Sequence, residues 1–279
     1  MNDRSHLDAN ALTGEAAGVP FVAFPPDGSR EHAATVIVWH MHDPPRSERA
    51  MAAALPLRGL DAWRVYLGLP LSGARLPAGG LDAFFALGFE DAVLKLYGPA
   101  VQEAVDEFPA AFAELRREHR LADGPIAVVG ASIGALVALR VVAADDRPVS
   151  AIAMVSPALR LASVVAANER RFAVSYPWSA ESRAVAAELD FVARAAEIAR
   201  RRAPTLIVVG ADDDAEGIIR PAEELADALV SEGVDAAVLR IPDMGHAITD
   251  EPGLEPAPQT AVAAAVDEEV AVWLRQHLT

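Results

Sequence analysis

The segment 126–142 constrains the fold of this chain more than any other, because it joins a strand, a tight turn and a helix without a break. Its sequence is IAVVGASIGALVALRVV: a β-branched apolar run, then Gly-Ala-Ser-Ile-Gly, then an apolar helical stretch. A serine at the centre of such a turn has a strained backbone, and its hydroxyl projects above the edge of the sheet. The segment therefore predicts an α/β sheet and makes Ser132 a candidate nucleophile.

The two glycines of this turn, Gly130 and Gly134, fit the same interpretation. The turn brings backbone segments together too closely to leave room for a Cβ atom. The positive N-terminus of the following helix then faces the place where an oxyanion would develop. The backbone N–H of Ile133, directly after the serine, is a predicted oxyanion donor.

Short apolar runs alternate with longer helical patterns along the rest of the chain. This alternation indicates a mainly parallel sheet covered by helices on both faces, and the length suits a single domain over residues 1–279. The predicted strands are 21–24, 34–40, 62–69, 125–131, 149–156, 204–210 and 236–241. The predicted helices are 47–58, 98–119, 133–145, 182–201, 221–232 and 259–277.

Two stretches interrupt the alternation. Residues 70–97 form a long connection rich in glycine, proline and aromatic residues, and residues 158–202 form a mostly helical, amphipathic insert between two strands. The insert is too apolar for disorder, and we expect it to be a helical lid over the strand ends. Its Tyr176 and Trp178 could line a substrate pocket or be ordinary packing. The same two alternatives apply to the aromatic side chains Phe84, Phe85, Phe89 and Phe172.

A serine hydroxyl needs a base within hydrogen-bond reach, and a third group must orient that base. In a strand–elbow–helix architecture these partners follow in the chain order Ser, Asp or Glu, His. Of the seven histidines, only His246 and His277 lie beyond both the serine and a plausible acid. His277 lies close to the C-terminus, at the end of a predicted helix, so His246 is the predicted base.

The acid should follow the end of the preceding strand, where three consecutive aspartates begin at Asp212. Asp213 is the predicted acid and Asp212 the alternative, and the other aspartates are expected to form a solvated turn that caps the next helix. The role of the acid would be to hold the imidazole in one tautomer and to stabilise the imidazolium. The loop after the strand 34–40 is expected to supply a second oxyanion donor, the N–H of Met41.

Three motifs in order carry a family likeness: GASIG at 130–134, GADD at 210–213 and MGH at 244–246. Together with the strands ahead of the first two, they resemble the α/β-hydrolase superfamily. Within it, the chain is similar to single-domain dienelactone hydrolase and prolyl-oligopeptidase-like esterases over residues 20–279.

The resemblance implies a doubly wound sheet of eight strands with one antiparallel N-terminal strand, whereas the residues themselves predict seven strands. It places the nucleophile at Ser132, and the family's Gly-x-x-Asp pattern favours Asp213 over Asp212. Relatives often carry His-Gly at the oxyanion loop, where this chain has His40 and Met41. His40 is then expected to be a structural neighbour of that loop.

These features predict a serine hydrolase that cleaves an ester-type bond through an acyl-enzyme, most simply a carboxylesterase acting on a small or medium uncharged substrate. The same three residues would serve a peptidase, a lactonase, a perhydrolase or an acyltransferase. A protein of another class, which keeps the pocket only to bind a ligand, is the remaining alternative.

The charge composition of the chain limits the classes of molecule that we expect it to bind. The chain carries 40 acidic and 24 basic residues, a formal net charge of −16. This balance disfavours nucleic acid and anionic membrane surfaces, which leaves a small-molecule substrate as the expected partner and the oligomeric state open. No apolar run is long enough to predict a spanning helix, and the N-terminus lacks the apolar region of a secretion signal, so we expect a cytoplasmic location.

Metal and cofactor chemistry are not expected. The chain contains no cysteine, which excludes thiolate ligands. His40, His42 and Asp43 lie close together in sequence, but their spacing and the prolines that follow do not match a metal-binding pattern. The sequence therefore predicts no metal site and no cofactor.

Overall fold

The computed structural model describes residues 10–28 and 33–278. Within them the chain forms one mixed sheet with helices on both sides. The strands are β1 (Leu12–Ala16), β2 (Val19–Phe24), β3 (Ala34–Trp39), β4 (Ala62–Leu67), β5 (Ile126–Ala131), β6 (Val149–Val155), β7 (Thr205–Gly210) and β8 (Ala236–Ile241). The helices are α1 (Glu48–Ala54), α2 (Gly80–Asp91), α3 (Gly98–His119), α4 (Ile133–Ala144), α5 (Leu161–Phe172), α6 (Ala180–Glu188), α7 (Ala195–Ala199), α8 (Arg220–Ser231) and α9 (Ala261–His277).

The sheet of the described residues has the strand order β1-β2-β4-β3-β5-β6-β7-β8. Strand β2 pairs antiparallel with β1 and with β4, and the remaining pairs are parallel. This confirms the predicted α/β-hydrolase fold class. The strand that the residues alone did not predict is β1, because its three central residues are exposed and it therefore lacks an apolar run.

The strands send alternate side chains into two separate cores, as the period of two requires. In β3, Ile37 and Trp39 enter the core on one face of the sheet, and Val36 and Val38 enter the core on the other. Helices α3, α4 and α8 cover the first face, whereas α1 and α9 cover the second. The sheet is buried on both sides, which explains its near-continuous apolar strands.

Several predicted connections and helices differ from those observed. The stretch 70–97 holds α2 and a π-helical turn, Ala92–Tyr97, that leads into α3. Helix α2 buries only Phe84, so its sequence lacks an amphipathic stripe. The predicted helix 182–201 is broken between α6 and α7, and α1 ends at Ala54, just ahead of Pro56.

The insert 158–202 contains helices α5, α6 and α7, in agreement with its predicted helical character. It lies between β6 and β7 in the chain, and a β-bridge between Arg160 and Asp190 joins the residue before α5 to the segment between α6 and α7. Among the described residues, no helix combines the length and the apolar character needed to cross a membrane.

Helix α4 packs against the sheet at very short range. A Cβ atom on Gly134 would lie 2.5 Å from the carbonyl oxygen of His40 and 2.6 Å from that of Trp39. A Cβ atom on Gly130 would lie 2.5 Å from the carbonyl oxygen of Gly134. All three distances are shorter than non-bonded atoms can approach, so glycine is required at both positions.

Substitution of Gly134 by alanine should therefore destabilise the protein. The added methyl group has backbone atoms as neighbours, and overpacking of this kind typically costs about 1–3 kcal/mol. Gly124→Ala is the matched control, because a Cβ there would meet no atom within 4 Å. Urea unfolding should show a lower free energy of unfolding for Gly134→Ala only. Equal stabilities of the two variants would contradict this account of the packing.

Candidate active site

Ser132 lies on a strained turn between β5 and α4. Its φ is +48° and its ψ is −118°, a conformation that non-glycine residues rarely adopt. Three hydrogen bonds hold the backbone there: its N–H donates to Val155 O, and its carbonyl accepts from Ala135 and Ala158, all at 3.0 Å. The surrounding structure thus maintains the strain that presents the side chain above the sheet.

The side chains of Ser132, His246 and Asp213 form a continuous chain of hydrogen bonds. The Ser132 Oγ lies 2.8 Å from Nε2 of His246. The Nδ1 of the same ring lies 3.0 Å and 3.2 Å from the two carboxylate oxygens of Asp213, whose side chain is only 3% exposed. In this arrangement the imidazole can accept the serine proton while the carboxylate faces the resulting positive charge.

The ends of β7 and β8 meet closely enough to bring the acid and the base together. A Cβ atom on Gly210 would lie 2.1 Å from the carbonyl oxygen of Met244. The same carbonyl accepts a hydrogen bond of 2.9 Å from the N–H of Asp212. The absence of a side chain at Gly210 therefore allows the loop carrying His246 to lie against the loop carrying Asp213.

The other two aspartates of this loop lie elsewhere. Asp212 is exposed. Asp214 caps the π-helical turn Ala215–Ile219, accepting from the backbone N–H groups of Glu216 and Gly217, and it forms an ion pair with Arg170. Of the two candidates for the acid, the structure brings Asp213 and not Asp212 to His246.

Two opposing effects act on the pKa of His246. Burial lowers it, but the hydrogen bond and charge of Asp213, together with the charge of Asp43, outweigh burial and leave the pKa above its ordinary value. The exposed Arg171 opposes them and lowers the pKa. The charges next to His246 therefore favour its protonated form.

His40 is a structural residue of the neighbouring loop. Its Nδ1 lies 2.7 Å from the carbonyl oxygen of Met41, and its Nε2 accepts from the N–H of Leu69 at 2.9 Å. Burial lowers the pKa of His40 to about 4, so the ring is neutral at physiological pH. Its position agrees with the expected structural role.

The predicted oxyanion donors have different environments. The N–H of Ile133, at the start of α4, has no acceptor among the described residues. The N–H of Met41 donates to the carbonyl oxygen of Pro45 at 3.3 Å, so in this conformation it is not free for a ligand. In this conformation the Met41 N–H is therefore unable to act as the predicted oxyanion donor, because the loop folds back and brings the Pro45 carbonyl to it. The next amide, that of His42, has no acceptor within the described part of the chain.

A cavity of about 480 Å³ adjoins these residues. Its wall includes Asp43, whose Oδ2 lies 3.7 Å from Nε2 of His246. Tyr176 lines the cavity, whereas Trp178 does not and instead packs edge-on against Tyr176, with ring centroids 4.8 Å apart. The other aromatic residues that line it are Phe84, Phe85, Phe89, Tyr97 and Phe172.

Arg46 is an important residue of the site that the sequence did not reveal. Its Nε donates to the carbonyl oxygen of His42 at 2.8 Å, and its Nη1 donates to that of Pro252 at 2.7 Å and pairs with Glu251. Its backbone N–H also donates to Gly253 O at 2.6 Å. Arg46 thus fastens the loop after β3 to the segment after His246, a contact between residues about 200 positions apart that no sequence pattern predicts.

In the described residues, no group of three or more histidine, aspartate or glutamate side chains is arranged to hold a metal ion.

Comparison with protein families gives a match over residues 87–275 to the model described as the prolyl oligopeptidase family. Among proteins with curated functions, none matches the sequence.

Solved structures share the fold at low sequence identity. A puromycin-hydrolyzing peptidase of Mycobacterium tuberculosis superimposes with a TM-score of 0.65 and 17% identity, over 96% of this chain and 39% of the peptidase. This chain thus spans about two fifths of that peptidase. A dienelactone hydrolase of Anabaena variabilis gives 0.55 and 14%, over 97% and 100% of the two chains. A cold-adapted esterase from an Arctic intertidal metagenomic library gives 0.55 and 17%, over 100% and 99%.

The assignment of the acid can be tested through the pKa of His246. Asp213→Asn should lower that pKa by about one unit or more, because it removes the nearest negative charge while the ring stays buried. Asp212→Asn, which removes an exposed charge from the same loop, should leave it unchanged. NMR titration of the imidazole resonances measures both variants, and the reverse pattern would identify Asp212 as the partner.

Proposed function

The chain belongs to the prolyl oligopeptidase family, and from this premise we propose that it is a serine hydrolase, specifically a carboxylesterase acting through Ser132, His246 and Asp213. The observation that carries the proposal is the unbroken contact from the Asp213 carboxylate through the imidazole to the serine hydroxyl. A protein that only binds a ligand has no need of this arrangement at the apex of a strained turn.

In the acylation step, Ser132 Oγ attacks the carbonyl carbon of the ester and Nε2 of His246 takes the hydroxyl proton. The N–H of Ile133 donates to the oxyanion of the tetrahedral intermediate. We assign the second donor to the N–H of His42 in place of Met41, whose amide is already bonded to Pro45. His246 then returns the proton to the departing alkoxide, which leaves as the alcohol.

In the deacylation step, a water molecule attacks the acyl-enzyme while His246 takes one of its protons. The second tetrahedral intermediate collapses, the acid departs, and the proton returns to Ser132 Oγ. Asp213 keeps its charge throughout, because its role is to orient the ring and to stabilise the imidazolium.

The cavity beside His246 supports an uncharged substrate of small or medium size with an apolar group. Six aromatic side chains contribute to its wall, and about 480 Å³ lies within the range of small-molecule sites. The insert 158–202 supplies Phe172 and Tyr176 to that wall, and we propose that it acts as the lid of this pocket.

Peptide hydrolysis is the second candidate. The family model is that of the prolyl oligopeptidases, and the superimposed mycobacterial structure is described as a peptidase. The same triad would attack an amide carbonyl, with His246 protonating the amine that leaves. Lactone hydrolysis and acyl transfer to another acceptor use the same acyl-enzyme.

Ser132→Ala and His246→Ala should each remove nearly all ester hydrolysis. The oxyanion donors and substrate binding would leave at most a residual acceleration of about 10³–10⁴-fold over water. Hydrolysis of p-nitrophenyl butyrate measures the loss, and circular dichroism verifies that each variant is folded.

Covalent labelling separates an enzyme from a protein that only binds a ligand. A fluorophosphonate probe should label wild-type Ser132 and not Ser132→Ala. A folded wild-type protein that resists the probe would favour the ligand-binding alternative.

The wall of the cavity should determine acyl preference. Phe172→Ala should lower kcat/KM for p-nitrophenyl 3-phenylpropanoate by about tenfold, and that for the acetate much less, because only the larger acyl group reaches the ring. Val272→Ala, which truncates an exposed apolar side chain on α9, is the control. Equal effects on both esters would place the acyl group outside the cavity.

The class of bond that is cleaved can be tested with the wild-type protein. Assays of an aminoacyl amide and a lactone beside the esters separate peptidase and lactonase activity from esterase activity.

A further inference from the structure

A second carboxylate faces the catalytic imidazole from the side opposite Asp213. The Oδ2 of Asp43 lies 3.7 Å from Nε2 of His246, the nitrogen that also contacts Ser132 Oγ at 2.8 Å. The side chain of Asp43 is 33% exposed and lines the aromatic cavity. The mechanism above assigns this carboxylate no role, although it lies beside the atom that carries the proton.

The backbone on both sides of Asp43 is fixed. The carbonyl oxygen of His42 accepts from the Arg46 guanidinium at 2.8 Å, and that of Pro44 accepts from the N–H of Ile248 at 3.1 Å. The second contact reaches a residue only two positions after His246. The backbone that carries the Asp43 carboxylate is therefore held next to the His246 loop by the fold and is not part of a free surface loop.

The described charged groups that act on His246 come from three elements. Asp213 follows β7, Asp43 follows β3, and Arg171 lies on α5. The Nη1 of Arg171 lies 3.9 Å from Oδ1 of Asp43, but its side chain is 63% exposed, so solvent screens this ion pair. Asp43 thus retains most of its effect on the imidazole.

We propose that Asp43 is a positioning residue for His246: its carboxylate stabilises the imidazolium formed when Nε2 takes the proton of Ser132, and it sets the lowest pH at which the base works. The inference rests on the proposed function, since it assumes that His246 is the base. No covalent step involves Asp43, and the proton returns from His246 to the leaving group as described above.

This role has two consequences of opposite sign. A carboxylate beside Nε2 raises the pKa of His246, so the resting ring becomes protonated, and unable to accept the serine proton, at a higher pH than it otherwise would. The same charge stabilises the imidazolium in both transition states and thereby raises kcat where the resting ring is neutral. Removal of Asp43 should therefore extend activity to lower pH and reduce the maximal rate.

The test is the pH profile of ester hydrolysis by Asp43→Asn. The acidic limb of kcat/KM should move to lower pH by about one unit, and kcat on the plateau should fall by up to about tenfold. Arg171→Gln should move the limb in the opposite direction by a smaller amount, because it removes the cation that opposes Asp43. In the double variant the two shifts should be nearly additive, because the ion pair between Asp43 and Arg171 is screened and Arg171 acts on the imidazole directly.

Asp250→Asn is the matched control, since it removes an exposed carboxylate from the segment that follows His246. It should leave the profile unchanged. NMR titration of the His246 imidazole in wild type and Asp43→Asn should give the same shift without any need for turnover. If Ser132→Ala were fully active, the proposed function would fail, while the NMR shift would still report on Asp43.

An unchanged pKa of His246 in Asp43→Asn would overturn the inference. So would a loss of kcat/KM that is equal at every pH, because it would mean that Asp43 contacts the substrate or only supports the loop.

Discussion

The close contact between α4 and the sheet is the constraint on which the rest of the site depends. Because Gly130 and Gly134 carry no side chains, the first turn of α4 lies directly against the carbonyl groups at the end of β3. Ser132 lies between the two glycines in its positive-φ conformation, and the N–H of Ile133 at the start of α4 has no acceptor among the described residues. The proposed nucleophile, one proposed oxyanion donor and the start of the β3 loop therefore all lie at this packing contact.

A second contact joins the two loops that flank the imidazole. The buried Arg46 binds carbonyl oxygens of both the loop after β3 and the segment after His246, and its partner Glu251 is largely exposed. The hydrogen bonds from Arg46 to carbonyl groups join the two segments directly, and Glu251 supplies the opposite charge for the buried guanidinium. This connection holds the backbone next to Asp43 close to the segment that follows His246.

Much of the fold and part of the site could be predicted from the sequence, where local chemistry decides the structure. The apolar runs of β3, β5 and β7 and the glycines around Ser132 carry their own signal. Chain order left His246 and His277 as candidates, and the place of His277 near the C-terminus favoured His246. Strand β1 escaped prediction because three of its five residues are exposed. The Met41 N–H is occupied because a turn brings the Pro45 carbonyl to it. Asp43 lies beside His246 because loops that are distant in sequence are in contact. These are tertiary effects without a local pattern.

Helix α5 links the shape of the cavity to the electrostatics of the base. Two adjacent residues of α5 have different roles. Arg171 supplies the cation that pairs with Asp43, and Phe172 forms part of the aromatic wall. A displacement of α5 that widened the cavity would also withdraw the cation from Asp43. The pKa of His246 would then rise, since Arg171 acts to lower it. The position of α5 would therefore affect both the shape of the cavity and the pH at which the His246 imidazole loses its proton.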